Sequence, residues 1–239
     1  MELHPNARIL RGVDSAALKK SLTGATFLGS EAHGKRLFFR FSKDGWLSLH
    51  MGMSGSLTAQ KPDAEIRRHD HLVLRQARQS LFFTDPRQLG HARFHTGETP
   101  PWMAKLPPPI LSPKFNRALM DKFLARHGRQ PLKASLLMQE CFPGIGNWMA
   151  DEILWRARLR PSRRSDSLSA PEAGKLYREV RFVSREALRT IGERLGDPPA
   201  SWLFHIRWRA GGLCPRDKSK LERTQVGGRT SCWCGSCQK

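Results

Sequence analysis

The stretch Pro143–Leu154, PGIGNWMADEIL, places two glycines around an isoleucine and follows them with an asparagine and a helical pattern. A helix ending near Glu140, a tight turn and a helix beginning at Asn147 would place backbone N–H groups beside a positive helix end. Such a turn can bind a phosphate through Gly144 and Gly146. Asn147 can cap the helix or donate its amide to the same phosphate. Alternatively, the glycines only permit a close helix crossing.

The segments around this turn carry apolar residues at helical spacing, which predicts a small helical domain over residues 114–200. They are FNRALMDKFLARH (115–127), PLKASLLMQE (131–140), NWMADEILWRARL (147–159) and APEAGKLYREVRFVSREALRTIGERL (170–195). Lys133, near the start of the second segment, is expected to add positive charge near this turn and to take part in binding the phosphate.

Residues 1–99 have a different pattern, because short apolar or alternating runs follow one another without intervening helices. The runs are RLFFRF (36–41), WLSLHM (46–51), HLVLRQ (71–76) and SLFFTD (80–85), separated by turn residues. Closely spaced strands of this kind predict an antiparallel sandwich or barrel between about residues 25 and 95. The prolines of residues 100–113 predict a linker. The chain is therefore expected to be a multidomain α+β protein.

The charge of the chain indicates a polyanionic partner. Among 239 residues, Lys and Arg number 41 and Asp and Glu number 21, so the formal net charge is +20. Nucleic acid is the leading candidate, and a merely basic enzyme is the alternative. No apolar run approaches the roughly 18 residues that span a bilayer, so we expect a cytoplasmic protein without a membrane partner.

The C-terminal segment, residues 201–239, carries a spacing typical of metal ligands. Two residues separate Cys214 from Asp217, sixteen separate Asp217 from Cys234, and two separate Cys234 from Cys237. This is the spacing of a four-cysteine zinc hairpin with one cysteine replaced by aspartate, so Zn²⁺ is the predicted cofactor. Cys232 can serve as the fourth ligand instead, or the hairpin can fold without metal. Between the cysteines, VGGRT predicts a tight turn with Arg229 at its tip.

Two further loops follow strands and present single apolar or cationic side chains. HMGMSG, residues 50–55, offers Met53, and TDPRQLG, residues 84–90, offers Arg87 and Leu89. Taken singly, Met53 and Leu89 are more typical of core residues. Taken with the turn and the cysteine hairpin, they belong to one pattern.

Together these motifs resemble the bacterial formamidopyrimidine-DNA glycosylase and endonuclease VIII family. The similarity extends from about Arg8 to Gln238 and is carried by GKRLFF, HMGMSG, HDHLVL, TDPRQLG, LSPKF, GIGNWMADEIL and GRTSCWCGSCQ. The resemblance implies an N-terminal β-sandwich, a helix-two-turn-helix domain, a C-terminal zinc-finger-like hairpin, and damaged or abasic duplex DNA as partner. It also implies base-excision repair at the bacterial nucleoid by a monomer.

Site residues follow from the resemblance position by position. Lys35, His50, Asn147 and Arg229 are expected to hold phosphates around an extruded nucleotide, whose extrusion costs a few kcal/mol. Met53, Arg87 and Leu89 are expected to fill the vacated space in the duplex. The family places an aromatic residue where this chain has Leu89, which puts the choice of opposite base in doubt.

The largest departure from the family is at the start. Family members begin with a Pro-Glu segment whose proline amine attacks the damaged nucleotide, whereas this chain begins MELHPNARIL and matches the family from a point after its first helix and strand. We therefore assign no catalytic residue and do not expect the chain without this segment to form the covalent adduct of the family. Either a truncation or a misplaced start codon removed the segment, or the chain is a variant that binds lesions without cleaving them. A basic zinc-ribbon protein that binds RNA is the alternative from another class.

Overall fold

The computed structural model describes residues 1–4 and 7–239, which separate into two compact units, Met1–Leu106 and Pro107–Lys239. The boundary lies inside the segment predicted as a linker, while the finer division into four parts stays a prediction. Over the described ranges, no helix is both long enough and apolar enough to cross a bilayer.

The first unit is built from two antiparallel sheets. Its strands are β1 Glu2–Leu3, β2 Phe27–His33, β3 Arg36–Phe41, β4 Gly45–His50, β5 Ser56–Gln60, β6 Asp70–Leu74, β7 Ser80–Thr84 and β8 His91–Thr96. One sheet has the order β1-β6-β7-β5 and the other the order β2-β3-β4-β8. The predicted antiparallel β architecture of this part of the chain is confirmed, with β1, β2, β5 and β8 added to the four predicted runs.

The core of the first unit lies between the sheets because both contribute one apolar face. Leu47 and Leu49 of β4 share a buried cluster with Leu72 of β6 and Phe83 of β7. Residues two apart in a strand face the same side, so the intervening residues of β4 occupy the opposite face. That opposite face carries His50 at the end of β4.

The second unit holds the predicted helices. They are α2 Arg117–Arg126, α3 Leu132–Leu136, α4 Asn147–Ala157 and α5 Ala170–Ala187. Helix α1, Ser15–Leu22, belongs to the first unit. Helix α3 ends four residues before the predicted Glu140, because the chain then turns and the amide of Gln139 bonds to the carbonyl oxygens of Leu137 and Ile145 at 3.0 and 2.9 Å. These bonds support the turn that precedes α4.

The C-terminal hairpin consists of β9 Leu221–Val226 and β10 Arg229–Cys234. Gly227 and Gly228, at φ of 59° and 72°, form its two-residue turn, as the predicted tight turn requires. The apolar residues around this hairpin pack against α4. Trp155 of α4 completes the small cluster that contains Leu203 and Leu221.

Glu152 is a fully buried carboxyl group on α4. Its Oε2 accepts the backbone N–H of Leu203 at 2.8 Å, and its Oε1 lies 3.8 Å from Nη1 of Arg156. Burial, opposed by Arg156, raises the pKa of Glu152 to about 7. The proton that Glu152 holds when folded therefore links stability to pH.

Between pH 5 and pH 8, we expect the free energy of unfolding to fall less in Glu152→Gln than in the parent protein. The pKa is higher in the folded state, so this contribution is present below the unfolded pKa and is lost as pH rises through about 7. The loss is on the order of 3 kcal/mol at most. Urea titrations at both pH values measure it. Glu172, whose pKa is held at about 2 by Arg163, is the control, because Glu172→Gln leaves the pH dependence unchanged in this range.

Equal pH slopes for the parent and Glu152→Gln would show that Glu152 is ionised throughout this range.

Candidate nucleic-acid interface

Two loops of the first unit, residues 51–55 and 84–90, pack against each other. A Cβ atom at Gly52 would lie 2.6 Å from the carbonyl carbon of Leu89 and 2.8 Å from the backbone nitrogen of Gly90. Gly52 also has φ of +65°, which favours glycine. Only glycine therefore allows the loops to approach this closely.

Asp85 connects the two loops through hydrogen bonds. Its buried carboxylate accepts the hydroxyl of Ser54 at 2.5 Å and the backbone N–H of Gly90 at 2.7 Å. Burial by itself would raise the pKa of Asp85, but the hydrogen bonds from Ser54 and the 84–90 loop outweigh it and lower the pKa. An ionised Asp85 thus holds both loops in one arrangement.

The side chains predicted to enter DNA lie on the surface of these loops. Met53 is 73% exposed and Leu89 is 45% exposed, and Arg87 is exposed as well. This exposure contradicts the alternative that Met53 and Leu89 are core residues. Large exposed apolar side chains on rigid loops are typical of binding surfaces.

His50 lies at the end of β4, next to the 51–55 loop, and Lys35 is exposed in the turn between β2 and β3. The Nδ1 atom of His50 accepts the N–H of Gly52 at 3.0 Å, so the neutral ring carries its proton on Nε2. Burial and the neighbouring Arg36 and Lys35 lower the pKa of His50. His50 is therefore a neutral hydrogen-bond donor.

The Gly-Ile-Gly turn differs in two respects from the sequence prediction. The N–H of Gly144 donates to Oε1 of Gln139 at 3.1 Å, so this donor is used within the chain. Gly146 is the N-cap residue, and Asn147 is the first residue of α4, so the prediction that Asn147 caps the helix is wrong. Nδ2 of Asn147 instead donates to the carbonyl oxygen of Thr230 at 3.1 Å, next to Arg229.

Lys133 does not reach the surface, so its predicted contact with a phosphate is wrong. Its side chain is fully buried and its ammonium group pairs with the carboxylate of Asp151 on α4. Nζ also donates to the carbonyl oxygen of Asn147 at 3.2 Å. Lys133 therefore supports the start of α4 from inside the unit.

Asp151 is the centre of a buried network that the sequence analysis missed. Besides pairing with Lys133, it accepts the guanidinium of Arg207 at 2.6 Å, the hydroxyl of Ser231 at 2.8 Å and the backbone N–H of Cys232 at 3.2 Å. The carboxylate thus joins α4 to β10. The available signal was an acidic residue among the apolar residues of α4, which is rare without a partner.

Arg229 occupies the tip of the hairpin, as predicted. It is exposed as the first residue of β10, directly after the glycine turn. A Cβ atom at Gly227 would lie 2.8 Å from Cβ of Ala134, so the turn packs closely on α3. Packing on α3 and the bond from Asn147 to Thr230 position the tip.

The predicted metal ligands converge in the structure. The ligand atoms of Cys214, Asp217, Cys234 and Cys237 all lie within 4.8 Å of one another. The sulfurs of Cys214 and Cys237 are 4.0 Å apart, and an oxygen of Asp217 lies 3.5 Å from the sulfur of Cys234. Tetrahedral zinc with Zn–S bonds of about 2.3 Å separates its sulfurs by about 3.8 Å. This cluster can bind a metal ion.

Two side chains outside this cluster donate hydrogen bonds to its sulfurs. Nε1 of Trp155 donates to the sulfur of Cys214 at 3.3 Å, and Nη1 of Arg216 donates to the sulfur of Cys237 at 3.2 Å. Cys232 lies outside the cluster, buried beside Asp151, so the alternative of Cys232 as the fourth ligand is wrong.

The first unit is rich in β-sheet and exposes Met53, Arg87 and Leu89, and the second is helical and carries a basic hairpin. This combination is typical of DNA-binding proteins with a helix-two-turn-helix domain. The family models for the formamidopyrimidine-DNA glycosylase N-terminal domain and H2TH domain match residues 2–92 and 106–197. The chain belongs to the formamidopyrimidine-DNA glycosylase family.

Individual relatives agree with this assignment. The formamidopyrimidine-DNA glycosylase of Roseiflexus sp. (strain RS-1) is 37% identical over 227 residues, covering 88% of this chain and 82% of the relative. That of Laribacter hongkongensis is 32% identical, covering 93% of this chain and 85% of the relative.

Solved structures show the same similarity. The Lactococcus lactis enzyme bound non-covalently to DNA with an AP site has a TM-score of 0.86 and 26% identity, covering 100% of this chain and 90% of that one. The same enzyme with DNA containing FAPY-dG has a TM-score of 0.87 and 26% identity, covering 100% and 91%.

Proposed function

We propose that this protein acts in base-excision repair as a DNA glycosylase with AP-lyase activity on oxidised or ring-opened bases. The observation that carries the proposal is the pair of loops fixed by Asp85, which expose Met53, Arg87 and Leu89 together. A protein that removes a base must fill the space left in the duplex. Two apolar side chains and one guanidinium on a rigid support suit that task.

Each unit carries residues that suit contacts with DNA phosphates. Lys35 and His50 belong to the first unit, and the Gly146–Asn147 helix start and Arg229 belong to the second. Asn147 donates one amide hydrogen to Thr230 and keeps a second for a phosphate. No described residue is assigned as the nucleophile.

Zinc is the metal that the cysteine cluster fits best. Three thiolates and one carboxylate form a closed tetrahedral set, as in structural zinc sites. Bound there, zinc would stabilise the hairpin that carries Arg229. A repair function would also place the protein in the bacterial cytoplasm at the nucleoid, and this localisation stays a prediction.

The function is tested with three duplexes that carry a formamidopyrimidine base, a tetrahydrofuran abasic analogue or no lesion. We expect at least about tenfold preference for the abasic analogue over the undamaged duplex, or roughly 1.4 kcal/mol. Release of the modified base, detected by mass spectrometry, would show that the chain also carries out the glycosylase step. Leu89→Ala should reduce the preference. Leu28→Ala is the matched control, because Leu28 is an exposed leucine of the first unit outside the two loops.

Preferential binding without base release would identify a non-catalytic lesion-binding protein. Equal affinity for the three duplexes, with effective competition by structured RNA, would contradict both the glycosylase function and the lesion-binding function.

Arg229→Ala is expected to weaken binding to the abasic duplex by about 1 to 3 kcal/mol, because a charged phosphate contact is lost. Fluorescence anisotropy at fixed salt measures the change. Arg223→Ala, on the same hairpin but away from the tip, removes the same charge and is expected to change affinity much less. Unchanged binding by Arg229→Ala would exclude the hairpin tip from the interface.

A further inference from the structure

Four basic or imidazole side chains, those of His33, Arg36, His50 and His91, form a row across the second sheet of the first unit on the face opposite its apolar core, with His33 of β2 directly opposite Arg36 of β3. Arg36 of β3 lies directly opposite His50 of β4, and His50 lies directly opposite His91 of β8. Side chains directly opposite on adjacent strands lie on the same face and contact each other. Leu49, the neighbour of His50 in sequence, faces the core instead. The row therefore lies on the face away from the core.

The arginines around this row form no ion pairs within the described part of the chain. They are Arg11, Arg36 and Arg93, and the basic groups beside them include Lys35, His50 and His91. Glu31 of the edge strand β2 lies on the same face, opposite Phe38, and opposes the lowering of the His33 pKa by burial. Arginines held close together without ion pairs are unfavourable unless an anion binds there.

Two polar atoms of the row point to the same conclusion. Nη1 of Arg36 and Nδ1 of His91 are buried, and neither has a hydrogen-bond partner in the described part of the chain. Leaving buried polar groups unpaired costs free energy, so such groups in a folded protein call for a partner. An oxyanion close to the row would offset the charge of the guanidinium and accept hydrogen bonds.

We propose that Arg36 and His91 form, beside His50, a second phosphate subsite for the DNA backbone, and that His91 takes up a proton when the phosphate binds. The inference rests on the proposed DNA-binding function and deepens it. The ligand chemistry is a phosphodiester oxygen. Inorganic phosphate shares that chemistry, so the experiment includes it as a separate arm.

The two histidines have different roles in this subsite. His50 stays neutral, because its Nδ1 accepts the N–H of Gly52 and its Nε2 already carries a proton. His91 has no such bond. Burial, Arg93, Arg36 and Arg11 lower the pKa of His91, so it is neutral in the free protein near pH 7. A bound phosphate supplies the negative charge that favours the imidazolium.

The sign of the pH effect follows from this difference. The proton is taken up on binding, so affinity for DNA rises as pH falls from 8 towards 6. Removing Arg36 removes one cation from the interface and one released counterion. The slope of log affinity against log salt should then be smaller in magnitude by about 0.9.

The test measures affinity of the full chain for the abasic duplex at pH 6 and pH 8 over a range of KCl concentrations. Arg36→Gln is expected to weaken binding roughly ten- to a hundredfold, and Arg36→Lys to restore part of it. His91→Gln should reduce the gain in affinity at pH 6. Arg78→Gln, an exposed residue of the β6–β7 connection, is the control for net charge.

NMR titration of the histidine ring protons supplies a readout that a structural role would not move. We expect the duplex to raise the pKa of His91, and inorganic phosphate alone to raise it less. Circular dichroism melts establish that each variant is folded.

Two outcomes would overturn the inference while the proposed function stands. One is parent-like affinity and salt slope for Arg36→Gln. The other is an unchanged His91 pKa in the complex. A parent protein that does not prefer the abasic duplex would instead contradict the proposed function itself.

Discussion

Asp151→Ala is expected to lower the free energy of unfolding by about 3 to 5 kcal/mol, because it leaves Lys133 and Arg207 as buried cations without a counter-charge. Both cationic side chains are almost fully buried. The same substitution also removes the acceptor of Ser231 and of the Cys232 N–H. Urea unfolding monitored by tryptophan fluorescence and circular dichroism measures the loss.

The matched control for Asp151 is an aspartate on the surface of the same unit. Asp121 pairs with Arg117 one turn away on α2, where both side chains are partly exposed, so Asp121→Ala should cost no more than about 0.5 kcal/mol. Lys133→Ala and the double variant complete a mutant cycle. Additive effects of Asp151→Ala and Lys133→Ala would show that the two side chains do not form the ion pair described here.

The network also gives Asp151 an effect on DNA binding. Its carboxylate holds the two residues that follow Thr230 on β10, and Asn147 holds Thr230 itself. We therefore expect Asp151→Ala to weaken binding to the abasic duplex even at temperatures where the variant is folded. Parent-like affinity of the folded variant would show that Arg229 is positioned by the glycine turn alone.

Cys234→Ala is expected to reduce bound zinc from about one ion per chain to less than about 0.2 and to unfold the hairpin, since a structural zinc site supplies folding free energy directly. Zinc finger peptides draw about 10 to 16 kcal/mol from this source, which sets an upper bound. The apolar cluster under the hairpin is small and takes Trp155 from α4. The loss in DNA affinity should therefore exceed that of Arg229→Ala.

Two further variants test whether the effect of Cys234→Ala comes from loss of the metal ion or from loss of a buried side chain. Cys232→Ala removes a buried thiol outside the cluster and should retain zinc, whereas Asp217→Ala should weaken zinc binding without abolishing it, because three sulfurs remain. Elemental analysis of protein purified without chelator supplies the stoichiometry. A parent protein without zinc that still binds DNA normally would show that the hairpin folds without metal.

Local patterns in the sequence carry much of the fold and of the candidate site. Alternating apolar residues around Leu47 and a continuous apolar run around Leu72 predict two of the strands, and helical spacing predicts α4, because these elements must bury their apolar side chains. The spacing of Cys214, Asp217, Cys234 and Cys237 predicts a metal cluster, because ligands on two short turns meet when the hairpin closes. The Gly227–Gly228 pair predicts the turn, since few other residues adopt positive φ.

The roles of Lys133, Asn147 and Asp151 were decided by tertiary structure alone. A lysine near a helix start is consistent with a surface phosphate contact until packing brings Asp151 within reach and closes the site to water. An asparagine before a helical run is consistent with a cap until the preceding glycine takes that position and Thr230 accepts the amide. Sequence spacing reports which residues share an element. Burial and pairing depend on neighbours far away along the chain, such as Asp151 and Cys232, which are 81 residues apart, so only the folded structure determines them.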